Sequence, residues 1–363
     1  MGKIINSSDV SLEFKPWTDL KCRITRLQVI EQLGGEIPNG EMDMILGNDP
    51  DTEKLITDQN TGTISLTDEK EDGLSYEFDV YITEREYYEN ILKIKFVCIN
   101  DLEFFTKRIT TYYQDGIKST IEALYPGNKD IRIEPSWTDD APLYQNCETN
   151  YEMCKRLCYA YKDQSVFAFG WDGLLLKDLR GEKDHEGNDE SSDDPNSRLV
   201  LETDRLSVQT QTYNLRYDKY VNSQSFSCWE DTEESTTGST DYTEYLSKNA
   251  KVIMNYKEYR VMGMKSADLM SSAWNNESKM KSDGYSYLKI VQPDIPHYKL
   301  GDVVLYERAL QEKSLPWKNY LILSNELFYS MDANKEVDQH GLRFSWTSKL
   351  YGLDEGKWSK DPE

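Results

Sequence analysis

Between Leu12 and Val97 apolar residues recur at every second position in short runs broken by turn residues, the period of half-buried strands. Cys22, Ile24, Arg26 and Gln28 alternate with Arg23, Thr25, Leu27 and Val29, Gly34-Gly35 and Pro38-Asn39-Gly40 interrupt, and Met42, Met44 and Leu46 resume the pattern. Further strands are predicted from Thr63 to Leu66, Tyr76 to Thr83 and Asn90 to Ile99. The last carries the clearest signal, because Leu92, Ile94 and Phe96 share a face. Several short strands with an acidic loop at residues 49–53 predict an antiparallel barrel or sandwich.

The period changes after Asn100. Ile117, Ile121 and Leu124 are helically spaced and Tyr125-Pro126-Gly127 stops the helix. A short strand around Ile131 and Ile133 ends at Pro135. A second helix begins at Glu148 or Thr149; Thr149 as N-cap places Glu152 in a capping box, and Tyr151, Cys154, Leu157, Cys158 and Tyr161 form one apolar stripe. Val166, Ala168 and Gly170 then alternate with Phe167, Phe169 and Trp171, Asp172-Gly173 supplies a hairpin turn, and residues 174–179 return. Residues 147–179 therefore read as a helix followed at once by a hairpin.

Arg180 to Ser197 is acidic, nearly devoid of apolar residues and predicted to be an exposed loop. Strands are predicted at residues 199–208 and 214–226, and the polar patch 230–244 reads either as disordered or as a cover for a neighbouring subunit. A third helix over residues 266–281, with Ala267, Met270 and Trp274 apolar, precedes a strand at 289–292, a turn within 298–306 that leads into another, one or two strands over 317–329 and a final strand over 341–346. The division this suggests is an N-terminal β-barrel domain over 1–100, an α+β helix-hairpin region over 101–180, an acidic linker over 181–197, a second barrel or mixed domain over 198–331, and a tail over 332–363. The fold class is mainly β with α+β linking regions, comprising two related antiparallel β-barrel domains and short helices.

Charge and chemistry narrow the function by exclusion. The 363 residues carry 42 Lys and Arg against 65 Asp and Glu, a formal net charge of −23, which repels a phosphate backbone and argues against tight nucleic-acid binding. Among the six cysteines, Cys22, Cys98, Cys147, Cys154, Cys158 and Cys228, no CxxC pair or nearby histidine completes a zinc set, so they read as small buried hydrophobes. His185, His297 and His340 are dispersed, and there is no GxSxG elbow, P-loop or GxGxxG fingerprint. Asp139-Asp140 and Asp172 read as turn and cap residues, and the acidic stretch 188–194 lacks the ordered twelve-residue calcium loop. No catalytic, cofactor or metal residues are assigned. No apolar run approaches the roughly 20 residues of a membrane span, so a soluble protein made in the cytoplasm is expected. Gly2 is followed by Asn6, where a myristoylation signal takes Ser or Thr.

The order of elements resembles a known family. The Gly116–Tyr125 and Thr149–Tyr161 segments, the hairpin around Asp172-Gly173, the Trp274 helix, the Leu300-Gly301-Asp302 turn with its strand to Leu305, and the strand Tyr320 to Glu326 are similar to phage tail (baseplate) hub proteins. The N-terminal hub region of type VI secretion spike proteins is related to them. The resemblance implies a homotrimer whose two barrels per chain make a pseudo-sixfold ring. Such a ring joins the tail tube protein to the central spike protein, contacts other baseplate proteins, and surrounds the channel through which genomic DNA leaves without specific binding. It implies a structural virion protein, no enzyme and no cofactor, with Tyr151, Leu157, Tyr161, Phe167, Phe169 and Trp171 as packing residues and Asp172 and Gly173 as the hairpin turn. The −23 charge would then line the lumen. Two other readings stand beside it, an all-β carbohydrate-binding or glycoside-hydrolysing protein and a structural protein from another virion position.

Overall fold

A computed structural model describes residues 10–15, 23–46, 60–68, 75–99, 101–114, 116–125, 132–133, 143–160, 165–171, 173–178, 200–201, 210–214, 223–229, 235–241, 256–261, 287–292, 295–296, 298–306, 309–310, 313–314, 318–330 and 344–352. The first six strands are β1 (Val10–Lys15), β2 (Arg23–Gln32), β3 (Asn39–Ile45), β4 (Thr61–Asp68), β5 (Ser75–Tyr88) and β6 (Ile91–Val97). The helical region follows as α1 (Glu103–Thr106), β7 (Arg108–Tyr113), α2 (Gly116–Leu124), β8 (Arg132–Ile133), β9 (Leu143–Thr149), α3 (Asn150–Ala160), β10 (Ser165–Gly170) and β11 (Gly173–Asp178). Beyond it come β12 (Val200–Leu201), β13 (Thr210–Asn214), β14 (Ser223–Trp229), β15 (Ser235–Asp241), β16 (Tyr256–Val261), β17 (Tyr287–Gln292), β18 (Val303–Tyr306), β19 (Ala309–Leu310), β20 (Lys313–Ser314), β21 (Lys318–Ser330) and β22 (Phe344–Gly352).

The expectation of two closed barrels is overturned. One 12-stranded sheet runs β1-β4-β5-β6-β3-β2-β21-β22-β17-β13, with β18 joined to β21 and β12 to β18. It curls into an open half-barrel whose edges stay 15 Å apart, several times the spacing of about 4.8 Å at which neighbouring strands hydrogen-bond. The central seam is β2 against β21, antiparallel from Arg26↔Ser330 to Gln32↔Ser324. Alternation along each strand specifies which face is buried. Whether the outermost strands meet depends on pairings hundreds of residues apart, to which that local pattern is blind.

Strand alternation in the first half matches burial. Leu27 and Val29, Met42 and Met44, Ile64 and Leu66, Phe78 and Val80, and Leu92, Ile94 and Phe96 are all buried in one core with Leu327, Phe344 and Trp346. Several strands lie outside the predicted pattern. β1, β7, β9, β16, β19 and β20 were not anticipated, and β15 lies within the polar patch 230–244, where it pairs with β14 from Trp229↔Ser235 to Ser223↔Asp241. Its sequence, STTGSTD, has no apolar alternation to read, so the strand rests on threonine's β-propensity and its ladder. The predicted helix at 266–281, the linker 181–197, Cys22, Asp139-Asp140 and all three histidines lie outside the described residues.

Candidate functional site, the helix-hairpin joint on the sheet

β10 and β11 form an antiparallel hairpin from Ser165↔Asp178 to Gly170↔Gly173. Its run VFAFG…GLLLK is apolar on successive residues, as expected of strands covered on both faces. Phe167, Phe169, Leu174 and Leu176 pack with Ile117, Ile121, Leu124, Met153, Cys154, Leu157 and Cys158 from α2 and α3. The alternate residues turn to the sheet, Ala168 against Tyr298, Leu300 and Ile322 and Val166 against Leu321. The hairpin is thus the middle layer between helices and sheet.

At its tip Trp171 crosses into the other core. Its ring centroid lies 5.8 Å from that of Phe78 and 5.2 Å from that of Trp346, edge to face. Tyr151, Leu157, Phe167 and Phe169 are brought together around the helices, with Tyr151 5.3 Å from Phe169, whereas Trp171 belongs to the sheet core. Gly173 sits at φ +137°, a backbone region open to glycine. Tyr161 and Asp172 lie outside the described residues.

The start of α3 carries the capping box. Glu152 N–H donates to Thr149 Oγ1 at 3.1 Å, and Thr149 N–H donates to Glu152 Oε2 at 2.9 Å. Arg156 grips Glu148 through two hydrogen bonds of 3.1 and 2.8 Å, and Gln145 Nε2 donates to Glu148 O and Asn150 Oδ1. Thr149→Ala should lower stability by about 1 kcal/mol, measurable as a shift of the urea midpoint at constant slope.

A second contact ties the helix to the end of β2. Tyr151 Oη donates to Gly35 O, and the Lys155 stem lies so close to Gly35 that an added Cβ would meet three of its carbons at 2.2–2.8 Å. Next to it Gly34 N–H donates to Phe167 O at 2.6 Å. Burial first, then the Glu36 carboxylate and Cys154, pushes the Tyr151 hydroxyl up from 10.0 to about 12. The Cys158 thiol is also raised, from 9.0, chiefly by burial and then by Cys154. Both groups hold their protons more tightly folded than unfolded. Their stabilisation is therefore whole below pH 9 and is lost as pH rises, the Tyr151 share between pH 10 and 12. Thermal melts across that range should show this fall, and Tyr151→Phe should flatten its upper part.

A buried polar chain, invisible to motif reading, fastens the hairpin tip to the sheet. Glu31, 2% exposed, accepts from Trp171 N–H at 3.2 Å and from Asn325 Nδ2 at 2.9 Å. Asn325 Oδ1 in turn accepts from Ser348 Oγ at 2.8 Å and Trp346 Nε1 at 3.3 Å. The chain continues from Ser348 to Tyr298 Oη at 2.8 Å and on to Gln292 Oε1 at 3.1 Å. One sequence signal points to it, a carboxylate in the third place of the buried alternation Leu27, Val29, Glu31. The turn after it in space is built on Gly301 at φ +79°, where an added Cβ would lie 2.1 Å from Leu175 Cδ2 of the hairpin, and Asp302 Oδ2 accepts from Lys299 N–H at 2.6 Å.

The polar side chains described in this arrangement are engaged with one another and with backbone groups. Cys154 and Cys158 are buried among apolar side chains, and among the described residues no group of three or more His, Cys, Asp or Glu could hold a metal. A shallow cleft of about 430 Å³ is lined by Asn60, Tyr81, Ile82, Thr83, Glu84 and Arg85, and its one carboxylate, Glu84, is ion-paired with Lys95 at 2.8 Å. No described helix is long and apolar enough to cross a membrane.

No family model and no curated protein matches the chain by sequence. Solved structures match it by shape over nearly its full length. The 43 kDa tail protein of prophage MuSo2 from Shewanella oneidensis aligns with TM-score 0.56 at 8% identity, over 94% of this chain and 97% of that one. A tail protein from Neisseria meningitidis MC58 aligns at 0.53 and 11% identity, over 96% and 98%. The E. coli c3393 protein, a type VI secretion component with structural similarity to T4 bacteriophage tail proteins gp27 and gp5, aligns at 0.53 and 8%, over 95% and 77%. The chain thus has the fold of these phage tail proteins and of the type VI secretion component.

Proposed function

We propose that this chain is a structural hub of a phage tail or baseplate, not an enzyme, and that it resides in the virion. The observation that carries the reading is end-to-end likeness to the Shewanella tail protein, over 94% of this chain and 97% of that one. In this reading the chain assembles as a homotrimer between tail tube and central spike, alongside other baseplate proteins, and the genome passes through its centre. The open half-barrel suits such a part, since an unclosed sheet leaves strand edges that assembly covers, and a threefold ring is a closed arrangement of identical contacts. The net charge of −23 would line the lumen and keep DNA from adhering.

Mass photometry of the purified chain, followed by negative-stain imaging, tests this. Threefold rings with a central hole are the expected result. A compact monomer that turns over glycosides would replace the hub by the carbohydrate-active alternative. A neutral or basic lining in an imaged ring would remove the acidic-lumen component while leaving the hub standing.

A further inference from the structure

The β10–β11 hairpin sorts its side chains by size. Opposite residues of an antiparallel pair share a face, so the register Phe167↔Leu176 and Phe169↔Leu174 sends large side chains to the helices. Val166↔Lys177, Ala168↔Leu175 and Gly170↔Gly173 make up the other face, towards the sheet. On the helix side the hairpin shares one core with α2 and α3. On the sheet side Ala168 and Val166 enter two separate and smaller clusters. Hydrophobic stabilisation follows the apolar area buried, so the hairpin is held more firmly by the helices than by the sheet on which it lies.

The sheet builds its main core from its own strands. Met42, Ile64, Phe78, Leu92 and Ile94 pack there with Leu27, Leu327 and Trp346, and Trp171 is the one described residue that the layer from α1 to β11 contributes. Between described elements of layer and sheet the broadest contact is β10 against β2, where Gly34 N–H donates to Phe167 O at 2.6 Å. Two side chains fasten it. Trp171 places its ring in the sheet core and its N–H on Glu31, and Tyr151 Oη donates to Gly35 O.

We propose that the layer from α1 to β11 opens from the sheet as one unit, parting along the Val166 and Ala168 face of the hairpin, with Trp171 and Tyr151 as its pins. The layer is then a lid. Its opening uncovers the sheet residues on which Ala168 and Val166 pack, among them Leu300, Ile322 and Leu321. The free energy of such a local opening is set by the contacts the open state breaks. It therefore responds to changes at the pins and not to changes deep in the sheet. The inference stands apart from the homotrimer reading, since both the lid and its pins lie within one chain.

Hydrogen exchange of the full chain, read by mass spectrometry at rising sub-denaturing urea, tests this. In the wild type, amides of α2, α3, β10 and β11 should share one opening constant, at least about tenfold larger than that of β3, β6 and β21 and with a shallower urea slope. Ile94→Val, in the sheet core, should speed β3, β6 and β21 by about fivefold and leave α3 and β10 within about twofold of wild type. Trp171→Ala should speed α3 and β10 by at least about a hundredfold, and the milder Tyr151→Phe by about fivefold. A wild-type chain in which helices and sheet exchange through one common opening overturns the proposal. So does an Ile94→Val chain whose α3 and β10 amides rise in step with β6. Pin variants that leave α3 and β10 at the wild-type rate overturn it as well.

Discussion

Trp171→Ala should cost about 3–5 kcal/mol of unfolding free energy, a large share of the 5–15 kcal/mol typical of a folded domain. Trp171 is 4% exposed and stands between Phe78 and Trp346, in a different core from the Phe167 and Phe169 of its own hairpin. Truncation therefore opens a cavity where the sheet holds the helix-hairpin layer. The reference is Tyr88→Ala, at a side chain 68% exposed, which should stay within about 0.5 kcal/mol of wild type. Urea unfolding followed by tryptophan fluorescence and by far-ultraviolet circular dichroism gives both numbers. A Trp171→Ala loss below about 1 kcal/mol would mean that the hairpin tip does not carry the two layers together.

How far the sequence speaks is clear from particular elements. Leu92, Ile94 and Phe96 alternate in the sequence and lie at 1% exposure each, because strand period and burial are the same local fact. Thr149 and Glu152 announce a helix start from four consecutive residues, and their reciprocal hydrogen bonds form there. The hairpin was legible in the same way, from apolar runs around Asp172-Gly173. Closure of the sheet was not, since Val29↔Leu327 and Arg26↔Ser330 join residues some three hundred apart and no local pattern encodes that register. Nor was β7, whose pairing with β9 crosses the whole α2 segment and shows as neither a clean apolar alternation nor a turn signal.

The joint itself was half legible for a related reason. Phe167, Phe169 and Trp171 form one alternating set in the sequence, which assigns them to one surface, but the hairpin turn carries Trp171 beyond the helical layer and into the sheet core. The polar half of the joint left a weaker trace. Glu31 breaks an apolar alternation, yet its partners Trp171 and Asn325 lie 140 and 294 residues away, so the sequence shows a misplaced carboxylate and not what it holds.

Glu31→Ala should be as damaging as the loss of Trp171, about 3–5 kcal/mol, for a different reason. It strands two buried donors, the Trp171 N–H and the Asn325 amide, at about 1–3 kcal/mol each, and adds a small cavity. Glu31→Gln keeps the shape but replaces one acceptor by a donor, so one of the two N–H groups faces another N–H, and an intermediate loss of about 1–3 kcal/mol follows. Asn325 also receives Ser348 and Trp346, so the substitutions are coupled through one network. The double variant Glu31→Leu with Asn325→Leu removes an acceptor and a donor together, and its loss should fall short of the sum of the two single losses by at least about 0.5 kcal/mol. Strict additivity in that cycle would show that Glu31 acts by filling space alone, and that the hairpin tip is held by Trp171's ring and not by its backbone.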